Sequence, residues 1–332
     1  MNGLMYINDL ETTIKDSTAS SFADDTRISR QIELTQDTEK LQYDLNNVIE
    51  WSKSNNMELH EQKFEFLSYR LPANAALCKA LPFQDNLTKY TTPSGVEIER
   101  KSLVRDLGVL VSDGFTWTPH VNKMVKDARK MASWTLGVFR DRSKVVMLQL
   151  YKSLIRSKLE YCCPLWNPSL VQDIQTIEDV QRYFTNRISG MSDLSYWERL
   201  SALKLQSLQR RRERYIIIHT WKTIVGYVPN DLNMQFVVNK RFGIQVAVPA
   251  LNKTASAKAK TCYDRSFHTK AAQLWNLLPA DAKDFQSLDK FKVSLSTFLR
   301  KFPDKPPVTG YSTANHNSLL DWSNQSGGLQ MM

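Results

Sequence analysis

The chain has 332 residues, 42% hydrophobic and 10% aromatic, which is enough for two or three units with real cores and too apolar for general disorder. Its 44 Lys and Arg against 34 Asp and Glu give a net charge of +10 and a pI near 9.3, favouring a polyanionic partner or an acidic membrane surface. No apolar run approaches the roughly 18 residues of a membrane span and no basic-then-apolar leader opens the chain, so a soluble, intracellular protein of the nucleus or cytoplasm is expected.

The first apolar run, Leu4-Met5-Tyr6-Ile7-Asn8-Asp9-Leu10, reads as the end of an element that began earlier, as if the chain starts mid-fold. After a polar connection, Ser21-Phe22-Ala23-Asp24-Asp25-Thr26 and the alternating residues behind it predict a tight β-hairpin with two neighbouring acids at its tip. Paired carboxylates at such a tip suit Mg²⁺, which favours one or two carboxylates with phosphate and water oxygens and supports in-line phosphoryl transfer. A helix is expected from Asp37 as cap, with Leu41, Leu45, Val48, Ile49 and Ser52 on one face, ending at Asn55-Asn56. Met57 to Tyr69 then reads as a strand returning beside the hairpin. Thr92-Pro93-Ser94-Gly95 reads as a turn, and Val104 to Val111 as a further strand with Gly108 in its middle.

At Thr118-Pro119 the texture changes to helices. A threonine cap and first-turn proline open a pattern through Val121, Met124, Val125, Ala128, Met131, Ala132, Leu136 and Phe139. The period repeats over Ser143 to Tyr161 (Val146, Leu150, Leu154, Ile155) and Val171 to Ile188. A third block, Leu200 to Val225, carries Arg210, Arg211, Arg212 and Arg214, which reads either as a solvated face or as a set of phosphate contacts. The pattern loosens from Asn239 to Lys260 and tightens into two short helices, Arg265 to Leu278 and Ser287 to Phe302, before a tail with Pro306-Pro307 and Ser326-Gly327-Gly328 that is expected to be disordered. Cys78, Cys162, Cys163 and Cys262 lack metal-site spacing and read as reduced packing thiols; no P-loop, G-x-S-x-G or G-x-G-x-x-G occurs.

The order of these signals resembles the carboxyl half of the palm in non-LTR retrotransposon reverse transcriptases, and most of all the jockey/CR1-like LINE elements. The residues that carry the likeness are Leu4 to Leu10, Phe22-Ala23-Asp24-Asp25-Thr26, Trp51 to Lys63 and Leu107-Gly108-Val109, then Leu159-Glu160-Tyr161-Cys162 with Pro164, Trp166 and Pro168. It continues through Leu200 to Leu205, Arg265-Ser266-Phe267, Leu274-Trp275-Asn276, Leu278-Pro279 and Phe291-Lys292. The resemblance implies an α+β fold: a partial reverse-transcriptase palm over 1–115, a helical thumb-like domain over 116–232, a small helical region over 233–303 and the tail over 304–332. It implies that Asp24 and Asp25 are the catalytic pair and ligands of Mg²⁺, that Phe22 and Lys63 lie at the nucleotide, and that Leu107 and Gly108 form the primer grip. An RNA template and a DNA primer would be the partners.

The family's first catalytic aspartate and its fingers have no counterpart in this sequence. Two metals need carboxylates on two adjacent strands, so the expectation is an RNA-directed DNA polymerase in truncated form, inactive alone. The alternative is a non-catalytic RNA- or DNA-binding remnant that holds nucleic acid through Arg210, Arg211, Arg212 and Arg214.

Overall fold

A computed structural model describes residues 9–23, 25–57, 59–69, 89–114, 116–251, 254, 257–302, 304 and 318–320, the side chains of 257–259 excepted. The run Leu4 to Asn8, Asp24, Cys78 and most of the tail lie outside the described residues. The fold mixes helices with two-stranded sheets. The chain divides into two compact units, Met1–Phe115 and Thr116–Met332.

In the first unit a short helix α1 (Leu10–Thr13) precedes the hairpin of β1 (Thr18–Phe22) and β2 (Asp25–Ser29), and the long helix α2 (Thr35–Ser54) follows. Asp37 caps α2 from inside its first turn rather than from the cap position. Its carboxylate accepts Glu33 N (3.1 Å) and Leu34 N (2.9 Å) and pairs with Arg30 at 2.8 Å. The Arg30 hydrogen bond, with those two backbone donors, holds its carboxyl down to about 2. The buried face of α2 is centred on Val48, Ile49, Trp51 and Ser52, with Leu41 and Leu45 half-buried. Leu10, Val48 and Trp51 form the local core, and Ile14, Ile28, Met57 and Leu59 pack against it.

Two sequence expectations are corrected here. The segment after α2 is a 3₁₀ turn, Glu61–Lys63, and a short strand β3 (Glu65–Leu67) that runs parallel to β4 (Glu99–Lys101) in a separate sheet, not beside β1–β2. Residues 104–111 are not one strand but most of a hairpin, β5 (Leu103–Asp106) and β6 (Val109–Ser112), with Asp106 opposite Val109. Leu107 (φ +44°) and Gly108 (φ +88°) make the turn, because a two-residue loop that follows strand twist needs both central residues at positive φ. The turn at 92–95 forms as expected, with Gly95 N donating to Thr92 O at 2.8 Å.

The second unit begins with α3 (Thr118–Val138), which buries Val121, Met124, Val125, Ala128 and Ala132. The Thr118 hydroxyl is not the cap; it donates to Asp173 at 2.9 Å. Next comes α4 (Lys144–Leu150), which widens into a π-helical stretch, Tyr151–Arg156, and resumes as α5 (Ser157–Glu160). The buried side chains are Met147, Tyr151, Ile155 and Leu159, four apart each time, rather than Val146 and Leu154. An ideal helix of 3.6 residues per turn would carry such a row off the core, and the wider π turn keeps it in line. Then follow α6 (Cys163–Trp166), α7 (Val171–Thr185), α8 (Tyr196–Ala202) and α9 (Leu208–Ile224), so the block read as Leu200 to Val225 is two helices broken at 203–207.

The loosened stretch contains a hairpin that the pattern did not signal, β7 (Phe236–Asn239) and β8 (Gly243–Val246). Asn276 holds the outer side of β8. Its side-chain oxygen accepts Val246 N and its amide donates to Val246 O, each at 2.9 Å, while Trp275 Nε1 donates to Ile244 O at 2.8 Å. Three helices close the unit: α10 (Ala257–Arg265), α11 (Phe267–Asn276) and α12 (Leu288–Arg300), the last two capped by Ser266 and Ser287. Phe291 of α12 stacks on Trp221 of α9 at 5.5 Å and sits 5.9 Å from Trp275 of α11. This core runs continuously from Ile216 to Leu319, joining residues on both sides of position 232. Asp304 and Ser318–Leu320, within the segment expected to be disordered, are placed against the body: Asp304 accepts the Ser207 hydroxyl at 2.6 Å and Leu319 N donates to Glu213 at 2.9 Å.

Candidate metal-binding hairpin and the basic helix

The hairpin that bears the acids is positioned from below by α2. Asp44, fully buried, accepts Lys15 N at 2.9 Å and Asp16 N at 3.0 Å, which fixes the chain as it enters β1. From there the register runs from the Thr18–Ser29 pair to the Phe22–Asp25 pair, which closes the ladder. Ala23 has φ +55°, a left-handed conformation that an alanine adopts at a small steric cost in return for a tight turn. Asp24 lies outside the described residues. Asp25 starts β2, is exposed, and its carboxylate makes no hydrogen bond or ion pair with another described residue. Phe22, opposite it, leaves 67% of its surface exposed. Among the described residues of the hairpin only Ala19 and Ile28 are even half-buried, so it projects from α2 rather than being absorbed in the core.

The hairpin is tied to the second expected site. Arg27 on β2 pairs with Asp106 at 3.0 Å, and Asp106 immediately precedes the Leu107-Gly108 turn. The 107–108 turn is thus brought to the flank of the strand that carries Asp25, through a pair the sequence reading missed; an arginine and an acid 79 positions apart leave no local signal. Lys63 is exposed at the end of the 3₁₀ turn. That turn is anchored by Glu61, whose carboxylate takes the hydroxyls of Ser94 and of Thr92, the latter at 2.8 Å. Those hydrogen bonds, Ser94 first, lower the Glu61 pKa.

Of the two expected Mg²⁺ ligands, Asp25 alone is described, as an exposed carboxylate of the kind that this ion takes together with water oxygens. Among the described residues no group of three or more His, Cys, Asp or Glu side chains is arranged to hold a metal. Cys163 is buried and its thiol is pushed up to about 12 by burial, as a packing residue should be, whereas Cys162 is exposed.

The basic row on α9 corrects the expectation of a phosphate-facing cluster. Arg210 and Arg212 are 1% and 0% exposed. Helix α9 is covered on most sides, burying Leu208, Ile216, Ile217, Ile218 and Trp221, so no face remains on which four arginines could meet a polyanion. Arg212 Nε donates to Asn167 at 3.1 Å, and Arg210 lies near enough to Glu213 and Asp304 for its charge to stabilise both carboxylates. Arg211 forms a two-pronged pair with Glu160, its Nη2 reaching Oε2 at 2.9 Å, and the Tyr215 hydroxyl joins them at 3.1 Å. Arg214 reaches Ser296 at 3.2 Å. Arg210 and Arg212 are therefore committed to the interior, with Arg211 and Arg214 half-buried beside them, although the Nη1 and Nη2 atoms of Arg210 and Arg212 have no hydrogen-bond partner among the described residues.

No protein-family model matches the chain, and comparisons with curated proteins and with solved structures return no match. Among the described residues no helix is long and apolar enough to cross a membrane.

Proposed function

We propose that the chain is a portion of an RNA-directed DNA polymerase of the non-LTR retrotransposon kind, in which Asp24 and Asp25 hold Mg²⁺ beside a primer end. The observation that carries this reading is the projecting hairpin with Asp25 exposed next to Phe22, flanked by the Leu107-Gly108 turn through the Arg27–Asp106 pair. Magnesium there would supply electrostatic stabilisation of the oxygens in an in-line phosphoryl transfer. The chain's own residues bind and orient: Asp24 and Asp25 as ligands, the exposed Phe22 ring as an apolar platform against the incoming nucleotide, and Lys63 as a cation for its phosphates.

Neighbouring carboxylates on one hairpin tip do not complete a cage for two ions about 3.5–4 Å apart, which draws ligands from a second strand. The expected behaviour of this chain alone is therefore metal binding without polymerisation. Manganese relaxation of water protons, with Mn²⁺ as stand-in for Mg²⁺, tests the site: binding by the wild type and its loss in the Asp24→Asn/Asp25→Asn double variant are expected. Equal binding by both proteins refutes the assignment. In primer extension on an RNA template, incorporation by the wild-type chain that Asp24→Asn abolishes would overturn the claim of inactivity while supporting the site.

A further inference from the structure

The second unit holds a cavity of about 670 Å³ whose lining includes Arg129, Arg182, Arg187, Arg199, Asp179 and Tyr183. The arginines converge from separate elements: Arg129 from α3, Arg182 from α7, Arg187 from just beyond its end, and Arg199 from α8. One carboxylate, Asp179, faces four cations, and Arg182 already pairs with it at 2.8 Å. Two guanidiniums meet a single ring, Arg182 at 4.8 Å and Arg199 at 5.7 Å from the centre of Tyr196. With one carboxylate among four cations, the site keeps an excess of positive charge that an added anion would offset.

The individual side chains bear this out. Arg199 is 5% exposed and held rigidly, its Nη1 donating to Asn186 at 3.1 Å and to Leu194 O at 2.6 Å, yet its buried Nε has no partner among the described residues. Burial, with repulsion from Arg182 adding to it, lowers the pKa of Arg199. Arg187 lies flat on Tyr183 at 3.6 Å and is oriented by a bond from its Nη1 to Tyr183 O at 2.7 Å, while remaining exposed. Arg129 is exposed and forms no ion pair with any described residue. Fixed planar forks, stacked on aromatic rings and open to solvent on one side, match the oxygens of a phosphate better than any neutral ligand.

We propose that this cavity is a phosphate-binding groove, taking either the phosphodiesters of a nucleic-acid strand or free phosphate anions. It involves none of the hairpin residues and stands whether or not the polymerase reading does. The exposed Arg129 and Arg187 reach outward to the ligand, and the buried Arg199 sets the floor of the groove.

The test uses the full chain and the Arg129→Gln/Arg187→Gln double variant, with Lys240→Gln in the β7–β8 loop as a cation control. Anisotropy of a labelled oligothymidylate is followed across a salt series, and calorimetry measures inorganic pyrophosphate. Losing two strand contacts lowers the slope of log affinity against log salt by roughly 0.7 for each arginine, while the control leaves it unchanged. That result identifies a strand as the source, whereas a loss confined to pyrophosphate identifies a free anion. Binding of both probes unaltered in the double variant, or weakened equally by Lys240→Gln, overturns the proposal. If the double variant melts early, Arg129→Gln alone gives the same reading, since Arg129 is exposed and unengaged. Manganese binding at the hairpin, measured on the same proteins, stays as in the wild type, so failure here is distinct from failure there.

Discussion

Glu178 lies at the centre of a buried polar hub in the second unit, and replacing it by Gln has a pH signature. Its carboxylate accepts the hydroxyl of Tyr196 and Leu208 N at 3.0 Å; Gln181 bonds the same tyrosine at 2.8 Å and receives the hydroxyl of Tyr151 at 2.7 Å. Burial pushes the Glu178 carboxyl from its usual 4.5 up to about 6, because desolvation outweighs the Tyr196 hydrogen bond and the charge of Arg212. A folded-state value above the unfolded one means that the folded protein binds the proton more tightly. The associated stability is therefore complete below about pH 4.5 and is lost as pH rises through about 6. At about 1.36 kcal/mol for each tenfold change in proton affinity, the loss amounts to about 2 kcal/mol by pH 7. Urea denaturation followed by tryptophan fluorescence, repeated across this range, should show the wild type losing about that much relative to Glu178→Gln. The difference between the two proteins isolates this one carboxyl from the other buried acids. Curves that run parallel at every pH would refute the reasoning, since they would place an ordinary, solvated carboxyl at this position.

Phe291→Ala removes the fully buried ring lying between Trp221 and Trp275 and should cost about 3–5 kcal/mol, read from the denaturation midpoint with the tryptophan emission shifting red. Asp37→Asn weakens the start of α2. Because its carboxyl is held down to about 2, its contribution is present above the ordinary aspartate value and lost as pH falls toward 2, so wild type and variant should converge in thermal melts at the acid end and differ at neutral pH.

Much of the helical half could be read from local chemistry. Thr118-Pro119 marks the start of α3, and Ile174, Ile177, Val180 and Phe184 give the buried stripe of α7 at ordinary helical spacing. The row on α4 escaped because a π-helical stretch changes the period, and Met147, Tyr151, Ile155 and Leu159 then follow a rule of four. β7 and β8 escaped for another reason. Phe236 to Val246 is held by Trp275 and Asn276, some 30 residues onward, so nothing adjacent announces a sheet. In the hairpin the tight turn and its exposed acid follow from the order of residues alone, but the entry brace from Asp44 and the Arg27–Asp106 pair are tertiary. The basic helix shows the opposite failing. Four arginines in five positions suggest an outward face, and only the acids at 160, 178, 213 and 304 reveal that the helix faces inward. The arginine-lined cavity draws on positions from 129 to 199, and no window of sequence contains it.

The side-chain amide of Asn276 occupies the place on β8 that another strand's peptide group would take, giving and receiving one bond each with Val246. With Trp275 on Ile244 O beside it, that margin of the ribbon is closed to further chains by two side chains. Growth by strand addition is left to the opposite margin, β7, where Val237 and Val238 are turned to solvent. Self-association through this ribbon would accordingly pair two β7 strands and stop at a twofold dimer, instead of propagating into a fibre.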